Sequence, residues 1–289
     1  MRDLVVALDD DYLLPFRVLW RSLMLTDSLP RGTSLWVLHG PRLSQSSVEV
    51  LRRVVTESGF SVEFRMVDAA SASFLPSTEG DHVSDATYYR LFVHLLLPES
   101  VTSVVYLDVD TLAVRSIKEL FEIDLRAPIA AVDHASPSNA WRMWGPALGD
   151  YFQAGVLVID LATWRENNIL KAFVEILDDG DRILWWDQDV LNIAFENNWQ
   201  RLPVWFNVNP SIRALTEREA LTVGSRLLHY SGNRKPWNNE PSRVEDSGYW
   251  YNVYSLEFGT AFVATSARGL LSRLVARLAR VLNRQSRGR

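Results

Sequence analysis

Leu4-Val5-Val6-Ala7-Leu8-Asp9-Asp10-Asp11 opens the chain with five consecutive apolar residues that run straight into three carboxylates. An unbroken apolar run of this length is the pattern of a strand buried on both faces, as in a parallel sheet covered by helices on each side. The carboxylates then stand beyond the strand's carboxyl end, where open α/β sheets bind their ligands. Working outward, residues 15–25 predict a helix, 34–38 a strand, 44–57 a helix and 61–67 a third strand. Residues 84–97 read as helical and 104–107 as a fourth buried strand, which meets a second acidic cluster, Asp108-Val109-Asp110. Further strands (129–132 and 155–159) and helices (162–177 and 188–197) continue the series around a Pro-, Gly-, Ser- and Trp-rich loop at 136–150. The alternation predicts an α/β fold with a mostly parallel central sheet flanked by helices.

Composition narrows the classes. The 289 residues are 47% apolar and 22% charged, ordinary for a globular protein and sufficient to bury a core. The absence of cysteine excludes a disulfide scaffold, a thiolate metal site and a cysteine nucleophile. A net charge of −5 argues against nucleic acid as a partner. Residues 260–289 hold seven arginines and no acid, so subtracting their +7 from −5 leaves −12 on the preceding 259 residues. This predicts a body at 1–259 and a basic tail at 260–289. No stretch approaches the roughly 20 apolar residues of a membrane span. The first apolar run meets Asp9 directly, unlike a signal peptide, and the expectation is a cytoplasmic protein.

Asp108 and Asp110, at i and i+2 past a buried strand, can converge on one hard divalent cation, and that cation can bridge two phosphates. The alternative is a solvated turn, since Asp is common where strands end. Asp108-x-Asp110-x-Thr111 also resembles the nucleophile motif of haloacid-dehalogenase-type phosphatases, which need a downstream lysine and a second acidic pair. Lys171 precedes Asp178-Asp179 on what reads as one helix, the wrong arrangement, and the phosphatase reading is set aside. Farther on stands His229-Tyr230-Ser231-Gly232-Asn233-Arg234-Lys235-Pro236-Trp237. A neutral imidazole can be the third ligand of a carboxylate-held metal. Glycine lets backbone approach a phosphate, and lysine supplies a compact charge to it.

Together these motifs resemble the family 8 glycosyltransferases, the group containing bacterial lipooligosaccharide galactosyltransferases and glycogenin. The resemblance rests on Ala7-Leu8-Asp9-Asp10-Asp11-Tyr12, Tyr88-Tyr89-Arg90-Leu91, Tyr106-Leu107-Asp108-Val109-Asp110, Phe152-Gln153-Ala154-Gly155-Val156, Trp186-Asp187-Gln188-Asp189 and the His229 segment. They occur in the family's order and span about residues 3–237. The resemblance implies a nucleotide-diphospho-sugar transferase fold of the GT-A type, a UDP-sugar donor, Mn²⁺ or Mg²⁺, and hexose transfer with retention. It implies metal ligation by Asp108, Asp110 and His229, and uridine and ribose contacts from Ala7, Asp9 and Asp11. It further implies donor-sugar contact by Arg90, ribose or sugar contact by Asp110, and diphosphate binding by Gly232 and Lys235. Tyr12, Val109 and Ala154 enter as additional donor contacts. Gln153, Asp187 and Gln188 would line the sugar pocket, with Asp133 beside the reacting face. Gln188 is uncharged, so same-face attack is favoured over a covalent intermediate, with Asp187 and Asp133 the residual nucleophile candidates. Gln153 stands where the family often has Asn, and Asp11 likewise, so the choice between galactose and glucose stays open.

Two features lie outside these motifs. Leu270, Leu271, Leu274, Val275, Leu278, Val281 and Leu282 fill one arc of a helical wheel beside Arg273, Arg277, Arg280 and Arg284. Such a basic amphipathic helix, within 268–284, suits an anionic membrane surface, which would set the protein at the inner face of the plasma membrane; the alternative is a helix folded back with its arginines against the acidic body. The acceptor is then expected to be a lipid-linked surface polysaccharide or lipopolysaccharide. The alternatives are a protein acceptor, or an inactive UDP-sugar-binding scaffold at the membrane. Of eleven tryptophans, Trp20, Trp36 and Trp164 read as core, whereas Trp141, Trp144, Trp185, Trp186 and Trp237 fall near site segments.

Overall fold

The computed structural model describes residues 2–68, 75–76, 84–134, 150–179, 183–210, 224–238, 244 and 246–262. The elements run β1 (Asp3–Ala7), α1 (Leu13–Leu25), β2 (Ser34–His39), α2 (Gln45–Glu57) and β3 (Ser61–Met66). A 3-10 segment (Asp85–Phe92) leads into the single turn α3 (Val93–Leu96), then β4 (Ser103–Leu107), β5 (Thr111–Ala113), α4 (Lys118–Glu122) and β6 (Ile129–Asp133). β7 (Phe152–Asp160), α5 (Leu161–Glu166), α6 (Ile169–Asp178), α7 (Trp186–Ala194), β8 (Gln200–Leu202), β9 (Leu227–His229) and α8 (Ser247–Phe258) follow.

A seven-stranded sheet has the order β3-β2-β1-β4-β7-β6-β8. The β1–β2, β2–β3, β1–β4 and β6–β8 ladders are parallel, while β7 runs antiparallel to both β4 and β6. The continuous apolar run at the N-terminus is split by the pleat. Leu4, Val6 and Leu8 enter one core with α1 and α2, and Val5 and Ala7 enter the opposite core with Tyr88, Phe92 and Trp164. Val105 and Leu107 of β4 join the first core and Val104 and Tyr106 the second. Both faces of the central strands are therefore dry, which is why those strands lack polar alternation. Trp20, Trp36 and Trp164 are buried in these cores as expected.

Two predicted helices take other forms. The 84–97 helix is mostly 3-10, over Asp85–Phe92, with residues 88–93 all buried. Its three-residue turn puts Thr87 and Arg90 on one face, with Arg90 Nε donating to the Thr87 carbonyl at 3.1 Å. The 162–177 helix is broken where Asn168 adopts φ 47°, a left-handed conformation that asparagine tolerates. Asp160 restarts the chain as the cap of α5, its Oδ1 accepting from Thr163 N at 3.0 Å.

A two-stranded antiparallel ladder, β5–β9, lies apart from the main sheet and pairs Thr111 with His229. Against it packs a third apolar cluster containing Leu112, Leu228, Tyr230, Trp237, Trp250 and Tyr254. Phe262 closes over α8, 5.2 Å from Trp250 and 4.9 Å from Tyr254 between ring centroids. Among the described residues no helix is long and apolar enough to cross a membrane. The predicted amphipathic helix, Trp141, Trp144 and nearly all of the 136–150 loop lie outside the described residues.

Candidate active site

A cavity of about 630 Å³ opens beyond the carboxyl ends of β1 and β4, the position that strand topology favours for a ligand. Three ligand-bearing side chains meet in it. One donor atom from each of Asp108, Asp110 and His229 lies within 4.8 Å of the others, and no other such group occurs among the described residues. His229 Nε2 stands 3.1 Å from Asp110 Oδ1 and 3.8 Å from Asp108 Oδ2. The β5–β9 register brings them together, reinforced by Tyr230 N donating to the Asp110 carbonyl at 3.0 Å.

Each carboxylate has its own cation. Arg90 Nη2 is 2.7 Å from Asp108 Oδ1, which also accepts from the Tyr106 hydroxyl at 3.0 Å. Burial opposes charge on Arg90, but Asp108 and then Asp187 more than offset it and raise its pKa. Lys235 Nζ pairs with Asp110 Oδ2 and donates to the Tyr230 carbonyl at 2.8 Å. Burial alone would raise the Asp110 carboxyl, yet Lys235 and His229 outweigh it and hold the group below the ordinary aspartate range.

The fit of a divalent cation follows from this donor set. His229 Nδ1 faces Asn207 Oδ1 at 2.8 Å. With that nitrogen donating, the Nε2 lone pair points among carboxylate oxygens, an arrangement that calls for positive charge between them. Gly155 of β7 is shaped for the same cluster, since a Cβ there would overlap the His229 ring and lie 3.0 Å from Asp108 Oδ2.

Most of the other predicted residues reach the cleft. Ala7, Tyr12, Arg90, Val109, Gln153, Ala154, Asp187, Gln188, Gly232 and Lys235 line it, together with Trp185 and Trp186. Gly232 adopts φ 81°, a backbone state open to glycine without strain. Gln188 accepts from Ala154 N at 3.1 Å through Oε1 and donates to the Tyr151 hydroxyl at 3.2 Å. Asp187 Oδ1 accepts from the Thr87 hydroxyl at 2.7 Å, and Oδ2 is 2.9 Å from Arg90 Nε. Burial pushes the Asp187 carboxyl up to about 6 against the pull of Arg90 and Thr87. Trp237 packs on Trp250 and Tyr12 instead of lining the cavity.

Three predicted residues do not line it. Asp9 is buried as the cap of the 3-10 turn Asp10–Tyr12, its Oδ1 accepting from Asp11 N at 3.1 Å. Asp11 is exposed and 2.7 Å from Arg42. Asp133, at the end of β6, turns toward Arg201 at 3.2 Å. Sequence reasoning did not single out Asn207 or Thr87, whose roles arise from contacts 22 and 100 residues away.

A family model described as glycosyl transferase family 8 matches residues 3–240. General stress protein A of Bacillus subtilis is 26% identical over 270 residues, covering 87% of this chain and 93% of its own. A lipopolysaccharide 1,2-glucosyltransferase of Escherichia coli is 25% identical over 229 residues, covering 74% and 67% respectively. The galactosyltransferase LgtC, solved with donor and acceptor sugar analogs, superimposes with a TM-score of 0.75 at 24% identity over 92% of this chain and 99% of that one. That likeness establishes the GT-A fold. On the family match, which takes in both acidic clusters, the cleft between them and the His229–Lys235 segment, the chain belongs to glycosyl transferase family 8.

Proposed function

We propose that the cleft binds a UDP-sugar with Mn²⁺ or Mg²⁺ and transfers its hexose, galactose or glucose, to a glycan acceptor with retention at the anomeric carbon. The observation that carries this reading is the meeting of Asp108, Asp110 and His229 beside Lys235 in one cavity. Carboxylate and imidazole donors suit such cations, and a cation held there supplies positive charge to the departing diphosphate.

The chain's own groups divide the remaining work. Lys235 carries a buried ammonium at the edge of the cluster, placed to exchange Asp110 for a β-phosphate oxygen. Gly232 lets the loop backbone come close to the same phosphates. Ala7, Val109 and Tyr12 border the nucleoside end, while Asp9 and Asp11 shape the turn that presents Tyr12. Arg90, Gln153, Ala154, Asp187 and Gln188 border the sugar. Gln188 is uncharged, Asp187 is engaged by Thr87 and Arg90, and Asp133 pairs with Arg201 away from the cavity. These commitments support same-face attack, in which the acceptor oxygen bonds to the anomeric carbon and its proton passes to the leaving phosphate oxygen.

The lipopolysaccharide glucosyl- and galactosyltransferases among the relatives support a lipid-linked surface glycan as acceptor. The basic, apolar pattern of residues 268–284 supports peripheral attachment at the cytoplasmic face of a membrane. Thermal stability with UDP tests the donor site. At about 100 times its dissociation constant UDP adds about 2.7 kcal/mol, and this gain is expected to vanish with EDTA or in Asp110→Ala. A gain that survives both would overturn the reading.

A further inference from the structure

Asn207 is fully buried, yet only half of its side-chain amide is used. Oδ1 meets His229 Nδ1 at 2.8 Å, while Nδ2 has no hydrogen-bond partner among the described residues. A buried donor left unpaired destabilises a fold. Among the described residues the side chain's one hydrogen bond is to His229, and that contact, not stability, accounts for an amide where a leucine of similar size would fill the space.

That contact has a chemical consequence. When Nδ1–H donates to Oδ1, the imidazole lone pair sits on Nε2, the nitrogen facing Asp110 and Asp108. Asn207 is itself held firmly. It ends the 3-10 turn Val204–Phe206, and the next residue pairs with β9 through Val208 N to Leu227 O at 3.0 Å and His229 N to Val208 O at 2.8 Å. The amide and the ring thus ride on two neighbouring, hydrogen-bonded segments, and Gly155 leaves room beside the ring's Cε1 and Nδ1, where a Cβ would overlap it.

Resting on the divalent-cation reading above, we propose that Asn207 is the positioning residue of the cation site, holding His229 in the tautomer and rotation that point Nε2 at the cation. Its role needs an acceptor oxygen, not an amide as such.

The test is Mn²⁺ affinity without nucleotide, read from the paramagnetic resonance of free Mn²⁺ with the full chain. The proteins are wild type, Asn207→Leu, Asn207→Ala, Asn207→Asp and Asp108→Asn, each first shown to be folded by circular dichroism. Loss of such an outer partner weakens metal binding about 10–100-fold, and this is the expected result for Asn207→Leu and Asn207→Ala. Asn207→Asp keeps the acceptor oxygen and is expected to stay within about threefold of wild type. Wild-type affinity in the Leu or Ala variant overturns the proposal, and so does an Asp variant as weak as Leu. A wild type that binds Mn²⁺ no better than Asp108→Asn overturns the cation reading itself, a result distinct from either.

Discussion

Thr111 pairs with His229 across the β5–β9 ladder, and this register sets Asp110 Oδ1 3.1 Å from His229 Nε2. The candidate site thus depends on a three-residue strand joining parts of the chain that lie more than a hundred residues apart. Its geometry should be sensitive to anything that moves the imidazole.

Gly155→Ala is such a change. Its Cβ would overlap the His229 ring and press on Asp108 Oδ2 at 3.0 Å, both surrounded by buried neighbours. Overpacking of this kind costs about 1–3 kcal/mol, so the variant should melt lower and still fold. We expect its cation-dependent stabilisation by UDP to be lost, because the overlap displaces the ring from its place beside Asp110. Calorimetry with UDP and Mn²⁺ checks this, and a wild-type response would show that the ring is not held there.

The His229–Lys235 segment is braced from beyond the family match, which ends at residue 240. The Tyr251 hydroxyl donates to the Pro236 carbonyl at 2.7 Å, and Trp250 packs on Trp237 with centroids 5.8 Å apart. A single hydrogen bond is worth about 1 kcal/mol net to stability, so Tyr251→Phe should lower stability by about that amount and, by loosening the backbone next to Lys235, weaken UDP binding by up to about fivefold. Isothermal titration reads this directly. Unchanged UDP affinity would mean that α8 supports the fold and not the loop.

Buried His94 gives a pH signature to stability. Burial first, and then the Arg165 guanidinium, push its imidazole from 6.5 down to about 4. The unfolded chain therefore binds more protons between these values, so the contribution is full above about pH 6.5 and is lost as pH falls toward 4. The loss amounts to about 3 kcal/mol over that window. His94→Leu should not show it, and the stability difference between the two proteins should shift in the variant's favour on acidification. Asp187, whose carboxyl is raised, acts with opposite sign in the same range but cancels in that difference. Denaturant titrations at pH 7, 5.5 and 4.5 check the slope.

How much was legible in the sequence differs from element to element. The apolar runs at β1 and β4 announced central strands, because a strand covered on both faces cannot afford polar alternation. The carboxylates after them marked the end of the sheet where the cavity opens, and the ordered motifs named most of the residues that line it. The 84–97 segment reads as helical and is helical, but an apolar pattern alone does not separate its 3-10 part from the α-helical turn that follows.

The sequence by itself determined the fold class and the chemical types of the site, since burial pattern and donor identity are properties of local residues. Tertiary structure decided which of those residues meet. It turned Asp133 toward Arg201, left Asp11 on the surface with Arg42, and brought Asn207 to His229 and Thr87 to Asp187. Such choices follow from strand register and from where the chain turns, and a hydrogen bond between distant segments leaves no period or spacing for a sequence to display.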